Sequence, residues 1–226
     1  MREIVVDTET TGLEPNSGHR IVEIAALELF HHVPTGRKFH RYVNPERDIP
    51  ADAYAVHGLN AEFLAAHPSF AAVIDDFIAF IDGAPLVIHN AEFDIAFLNA
   101  ELALLGRPRL AAEFVDTLSL ARRRFPGSPA SLDALCRRFS IDLAARDKHG
   151  AAIDCGLLAE VYVELLGGRQ PGLDFAVMET AGMGLTGAAV NRPARPPRPH
   201  EATPEELLAH RALLATITGP MWDSPG

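Results

Sequence analysis

The chain is short of cysteine, of aromatic residues and of positive charge. Two cysteines, Cys136 and Cys155, occur in 226 residues. Both lie in apolar, helical-looking stretches without zinc-site spacing. That excludes a disulfide framework and a structural zinc centre, and a reducing cytosol suits the chain. No apolar run approaches the ~20 residues that span a bilayer, which argues against a membrane protein. The start, Met1-Arg2-Glu3 followed at once by a strand pattern, fits neither a signal peptide nor a transit peptide. Lysine and arginine number 20 against 30 acids, a net charge of −10. A protein that grips nucleic acid unaided carries a basic patch that displaces counterions from phosphates. Charge alone therefore speaks against that class, unless a metal or a partner supplies the missing sign. What is present is ordinary for a globular protein, 48% apolar and 22% charged. The length holds one well-buried domain plus an appendage.

Three apolar runs open the chain: Glu3–Asp7, Arg20–Phe30 and about Lys38–Val43. Short turn segments separate them, which predicts three consecutive antiparallel strands. Phe70, Val73, Ile74, Phe77, Ile78 and Ile81 then recur at helical spacing and stop at Gly83. Leu86–His89 reads as a buried strand and Ala91–Leu105 as a helix. A short strand near Phe114-Val115 precedes a helix from Asp116 to Phe125. Helices are expected over Ser131–Phe139, with Ser131 as N-cap, and over Ala151–Leu166, closed by Gly167-Gly168. Strands followed by strand–helix alternation predict an α/β fold, a mixed five-stranded sheet flanked by helices. After Gly168 the composition changes, with eight of the 17 prolines and two of the 16 aromatics. Residues 1–168 are expected to form the domain, and 169–226 a flexible, mostly unstructured tail with a short helix from about Pro204 to Ala215.

Asp7-Thr8-Glu9-Thr10-Thr11-Gly12 stands where the first strand is expected to end. Side chains two apart in extended chain share a face, so Asp7 and Glu9 can point together. Alone, D-x-E reads as a solvated acidic turn. Asp94, however, shares a helical stripe with Leu98, Leu102 and Leu105, and Asp154 shares one with Leu157, Leu158, Val161 and Leu165. Buried carboxylates without partners are costly, and neither stripe carries a lysine or arginine. Two such acids beside an acidic pair favour a shared site for a hard cation such as Mg²⁺ or Mn²⁺. His149 precedes Asp154 by five residues, across a glycine. It reads as a loop residue next to the candidate ligands, and histidine is the usual general base near neutral pH.

In order, D-T-E (Asp7–Glu9), H-N-A-E-F-D (His89–Asp94) and H-G-A-A-I-D (His149–Asp154) resemble the DnaQ-like exonuclease family of the DEDDh type. V-H-G-L (Val56–Leu59) and S-L-D-A-L-C (Ser131–Cys136) resemble its bacterial polymerase III epsilon-subunit members. The resemblance covers residues 3 to 166. It implies a ribonuclease H-like fold and two-metal hydrolysis at a DNA 3′ end, with release of nucleoside 5′-monophosphates. Asp7 would bridge two divalent ions, Glu9 and Asp154 would complete the first site, Asp94 would hold the second ion and His149 would be the base. Thr10, Thr11, His57 and Asn90 would line the terminal-nucleotide pocket. Phe93 and Phe97, one turn apart, are expected in the core.

Gln170-Pro171-Gly172-Leu173-Asp174-Phe175 resembles sliding-clamp binding peptides, with Gln170, Leu173 and Phe175 as anchors. Thr203–Trp222 resembles the segment of family members that docks on the polymerase catalytic subunit. These partners, in a cytoplasmic replisome, would supply the grip on DNA that the charge lacks. Two rival readings stay open: a free-standing exoribonuclease or oligoribonuclease, and a scaffold that kept the fold and lost catalysis.

Overall fold

Alternation along the first strand decides the architecture. A computed structural model describes residues 1–144, 149–168 and 202–217. In it β1 (Arg2–Thr10) pairs antiparallel with β2 (Ile21–Phe30), and β2 antiparallel with β3 (Val33–Tyr42). β4 (Leu86–Ile88) joins β1 in parallel, and β5 (Phe114–Asp116) joins β4 in parallel, giving the order β3-β2-β1-β4-β5. Ile4 and Val6 belong to one buried cluster and Val5 to another, on opposite faces of the sheet. Because the period is two, Thr8 continues the face of Ile4 and Val6. Asp7 and Glu9 continue that of Val5.

Each face is covered by helices. On the Ile4 side lie α3 (Phe70–Ile81) and α4 (Ala91–Leu104); Phe70, Val73, Ile74, Phe77 and Ile81 are buried there. On the Val5 side lie α5 (Thr117–Arg124), α6 (Leu132–Phe139) and α7 (Ala151–Leu165). Each fully buried Leu, Ile, Val or Phe contributes roughly 1.5–3 kcal/mol. α4 is tied to the start of β2 by a part-buried ion pair. Arg20 Nε and Nη2 donate to Glu101 at 2.8 and 2.7 Å, and Glu101 also accepts the Ile21 N–H at 3.1 Å.

The expected helices and the antiparallel order are present, and Ser131 caps α6 through the Ala134 N–H. Three features differ from expectation. β1 does not end at Asp7: its ladder runs on to Thr10↔Ile21, with an irregularity between Glu9 and Thr10. β3 begins at Val33, because the hairpin from Phe30 keeps pairing. Two short helices, α1 (Ala51–His57) and α2 (Ala61–Ala65), fill a stretch without helical periodicity. His57 therefore ends a helix and is buried; Gly58 closes α1 at φ 74°.

Contacts divide the chain into Met1–Phe175 and Ala176–Gly226. In the second unit α8 (Pro204–Leu214) stands where a short helix is expected, and it starts in a capping box between Thr203 and Glu206. Residues 169–201 and 218–226, and with them the expected clamp segment Gln170–Phe175, lie outside the described residues. Both cysteines are buried thiols outside any disulfide. No described helix is long and apolar enough to cross a membrane.

Candidate active site

The site forms where the C-terminal part of β1 meets the first turns of α4 and α7. Asp7 and Glu9 project toward α7 by strand alternation. Asp154 stands one turn into α7, on the stripe that Leu157, Leu158 and Val161 bury against the sheet. His149 lies just before that helix, half exposed, with Nδ1 3.4 Å from Asp154 Oδ2. Ligand atoms of Glu9, His149 and Asp154 all lie within 4.8 Å of one another. The His149 N–H donates to the Val56 carbonyl at 3.3 Å, which ties this loop to the end of α1.

Asp94 approaches from the other face. Its Oδ1 accepts the Thr8 N–H at 3.0 Å and the Thr8 hydroxyl at 2.7 Å. One carboxyl oxygen is thereby fixed. Burial pushes the Asp94 carboxyl up to about 7 against the opposing pull of those hydrogen bonds. Asp7 is pushed well above the ordinary 3.8, first by burial and then by the carboxylates of Asp94, Glu9, Asp154 and Glu23. A buried carboxyl pressed by several other carboxylates suits the donor set of a divalent-cation site, and oxygen ligands suit Mg²⁺ or Mn²⁺. The residues fit such an ion. Cys155, beneath them, donates to the Ala25 carbonyl at 3.4 Å, and burial raises its thiol well above the ordinary range; it is inert packing.

The residues expected to line the pocket are held in different ways. Thr10 and Thr11 are buried, with Thr10 Oγ1 donating to the Gly12 carbonyl at 2.7 Å and Thr11 Oγ1 accepting the Arg20 N–H at 3.0 Å. Their side chains shape the loop, and the Thr11 N–H donates to the Arg20 carbonyl at 2.8 Å. Gly12 is needed there, since a Cβ would sit 2.4 Å from the His19 ring. His57 accepts the Leu59 N–H on Nδ1 at 2.9 Å. Asn90 is an exposed residue at φ 67°, ψ 56° that precedes α4, its N–H held by Asp116 Oδ1 at 3.0 Å. Phe97 is fully buried and Phe93 packs on it, ring centroids 5.0 Å apart, so both are core as expected.

Four residues that place the site were not foreseen. Thr8 holds Asp94. Asp116 caps α5 and orders the Asn90 turn. His89, with Nδ1 2.9 Å from Thr117 Oγ1, braces β4 against α5. Glu23 accepts the Ala151 N–H at 3.2 Å. Glu23 alone left a visible mark in the sequence, an acid inside the apolar run I-V-E-I-A-A.

Comparison with known proteins bears on the class of the chain. A family model described as an exonuclease (RNase_T) matches residues 4–162. The chain belongs to this exonuclease family. It is 49% identical to the DNA polymerase III subunit epsilon of Rickettsia felis over 223 residues, covering 96% of this chain and 97% of that one. With the subunit of the same name from Escherichia coli it shares 44% over 228 residues, 96% and 93% of the two chains. Among solved structures, exonuclease X in complex with 5′ overhanging duplex DNA superposes at a TM-score of 0.57 with 28% identity, covering 73% of this chain and 90% of that one. The nuclease domain of 3′hExo, a DEDDh family member bound to rAMP, superposes at 0.64 over 73% and 91% of the two chains; at 20% identity it speaks for the fold alone. The mixed five-stranded sheet is thus that of the ribonuclease H-like fold, and the family match makes the chain a nuclease.

Proposed function

We propose that the chain is the proofreading subunit of a bacterial replicative polymerase III, removing nucleotides from DNA 3′ ends. The observation that carries the reading is the meeting of Glu9, His149 and Asp154 ligand atoms within 4.8 Å, with Asp7 and Asp94 around them. Similarity to epsilon subunits along 96% of the chain supports the replicative role.

Asp7, Glu9, Asp94 and Asp154 are the residues that would hold two divalent ions, Mg²⁺ or Mn²⁺. Such ions lower the pKa of an attacking water and offset charge on the leaving oxygen. Asp154 orients the His149 ring, whose half-exposed face receives the proton of that water. Water oxygen bonds to phosphorus and the bond to the 3′-oxygen breaks. The shortened strand keeps a 3′-hydroxyl, and a nucleoside 5′-monophosphate departs. Thr8 holds Asp94 in one orientation, so little reorganisation remains when the phosphate arrives. The backbone of Thr10 and Thr11, with His57 and Asn90, forms the pocket for the terminal nucleotide. Such a pocket holds bases without reading them, and a mispaired end reaches it more often because it unpairs more cheaply.

Residues 1–168 constitute the exonuclease domain, and 169–226 the tether. Residues 170–175, through Gln170, Leu173 and Phe175, bind the sliding clamp, and Thr203–Trp222 the polymerase catalytic subunit, within the cytoplasmic replisome. α8 supports this docking role, with Leu207, Leu208 and Leu213 exposed. Purified full-length chain given matched DNA and RNA single strands with Mg²⁺ tests the reading. Preference for DNA with 5′-monophosphate products is expected; preference for RNA would move the chain to the exoribonucleases.

A further inference from the structure

Within that functional reading, one buried acid near the site is neither a candidate ligand nor part of the core. Glu23 lies near the start of β2, 3% exposed, opposite Glu9 on β1 and Tyr42 on β3. Directly paired residues of antiparallel strands share a face, so Glu23 points toward α7. Both its oxygens are engaged. Oε1 lies 2.7 Å from His40 Nε2, and Oε2 accepts the Ala151 N–H at 3.2 Å.

We propose that Glu23, braced by His40, is a positioning residue that sets the first turn of α7 and thereby places His149 and Asp154 against Glu9.

Ala151 is the first residue of α7, two after His149 and three before Asp154. The first N–H groups of a helix have no partner inside it. At α7 the N-cap is Gly150, which has no side chain to cap with. A carboxylate from a strand 128 residues earlier takes over that role. Its charge sits at the positive end of the helix, the favourable sign. Burying a further acid beside the acidic cluster is unfavourable, and Glu23 is among the carboxylates that push Asp7 upward. The helix N-terminus and the imidazole offset that penalty. The link continues outward through His40 to the edge strand β3, so the turn carrying His149 and Asp154 is referenced to two strands.

The test uses the purified full chain with Mn²⁺. It measures kcat and KM on a 3′-mispaired DNA end and, independently of activity, Mn²⁺ affinity by titration calorimetry. Loss of a residue that orients ligands costs about 10- to 100-fold in metal affinity or turnover. Glu23→Ala is therefore expected to lose that much in kcat and in Mn²⁺ affinity, with KM for DNA little changed. Glu23→Gln should recover most of both, because its amide oxygen still accepts from Ala151 and its amide nitrogen can donate to His40. His40→Ala should fall between, since the Ala151 bond remains. A folded Glu23→Ala protein with wild-type kcat and Mn²⁺ affinity overturns the proposal. So does Glu23→Gln being as impaired as Glu23→Ala, which would make charge rather than hydrogen-bonded placement the cause. If Glu23→Ala does not melt cooperatively, His40→Ala decides: wild-type values there overturn the proposal and a selective fall in kcat supports it. Absence of Mn²⁺-dependent cleavage by the wild type would contradict the exonuclease reading instead, and calorimetry would still judge the placement.

Discussion

The backbone N–H of His149 is held by the carbonyl of Val56 at 3.3 Å, so the candidate base is anchored to the helix that ends in His57. The base and the proposed nucleotide pocket would then share one backbone contact. A positioned general base contributes about 10²–10⁴-fold. His149→Ala is expected to lose turnover in that range while keeping its stabilisation by Mn²⁺. A pH–rate profile identical to the wild type would remove His149 from the role.

Asp7 should show a trade between activity and stability. Its carboxyl is raised by burial and by four neighbouring carboxylates, so its charge opposes folding in the metal-free protein. Asp7→Asn is expected to raise the metal-free Tm at pH 7.5 by a few degrees. Losing a ligand removes several kcal/mol of transition-state stabilisation, about a 10³-fold loss of cleavage or more. Asp154→Ala should likewise abolish cleavage with the fold intact. Full activity in either variant contradicts the ligand assignment.

Asp94 gives the pH dependence its sign. Its folded-state pKa of about 7 lies above the ordinary 3.8, so the folded protein holds a proton that the unfolded chain releases earlier. The stabilisation from that proton is complete below about pH 4 and is lost as pH rises through 7. At about 100 times its Kd a divalent ion adds about 2.7 kcal/mol, roughly 5–10 °C in a domain of this size. Differential scanning calorimetry should therefore find a larger Mg²⁺-induced rise in Tm at pH 7.5 than at pH 5. An equal or reversed difference would contradict the account.

On the proposed reading, the tail separates chemistry from recruitment. A chain ending at Gly168 is expected to retain activity on single-stranded DNA and to lose co-purification with the polymerase. Gln170→Ala combined with Leu173→Ala and Phe175→Ala should weaken clamp binding alone. Retained polymerase binding by the truncated chain sinks the docking role.

Much of the site could be read from periodicity, and the reasons differ by element. Asp94 and Asp154 were conspicuous because a helix repeats every 3.6 residues, so an acid on a leucine stripe breaks a long pattern. α1 and α2 were hidden because seven and five residues are too few to establish such a period. β1 extends to Thr10 through cross-strand pairing with β2, a partner that local sequence does not disclose. Asn90 shows why its own motif understates it: its turn is organised by Asp116, 26 residues away. Glu23 was visible only as an oddity, because its meaning depends on Ala151.

The central claim is that the acids of β1, α4 and α7 hold divalent cations around one phosphate. The most direct measurement is nucleotide release from a 3′-mispaired DNA primer by the purified full chain, with Mg²⁺, with a chelator, and with Mg²⁺ restored. Single 5′-monophosphates should appear only when the metal is present and return on its restoration, faster from the mispaired end than from a paired one. Cleavage undiminished by the chelator, or none with the metal supplied, would contradict the account.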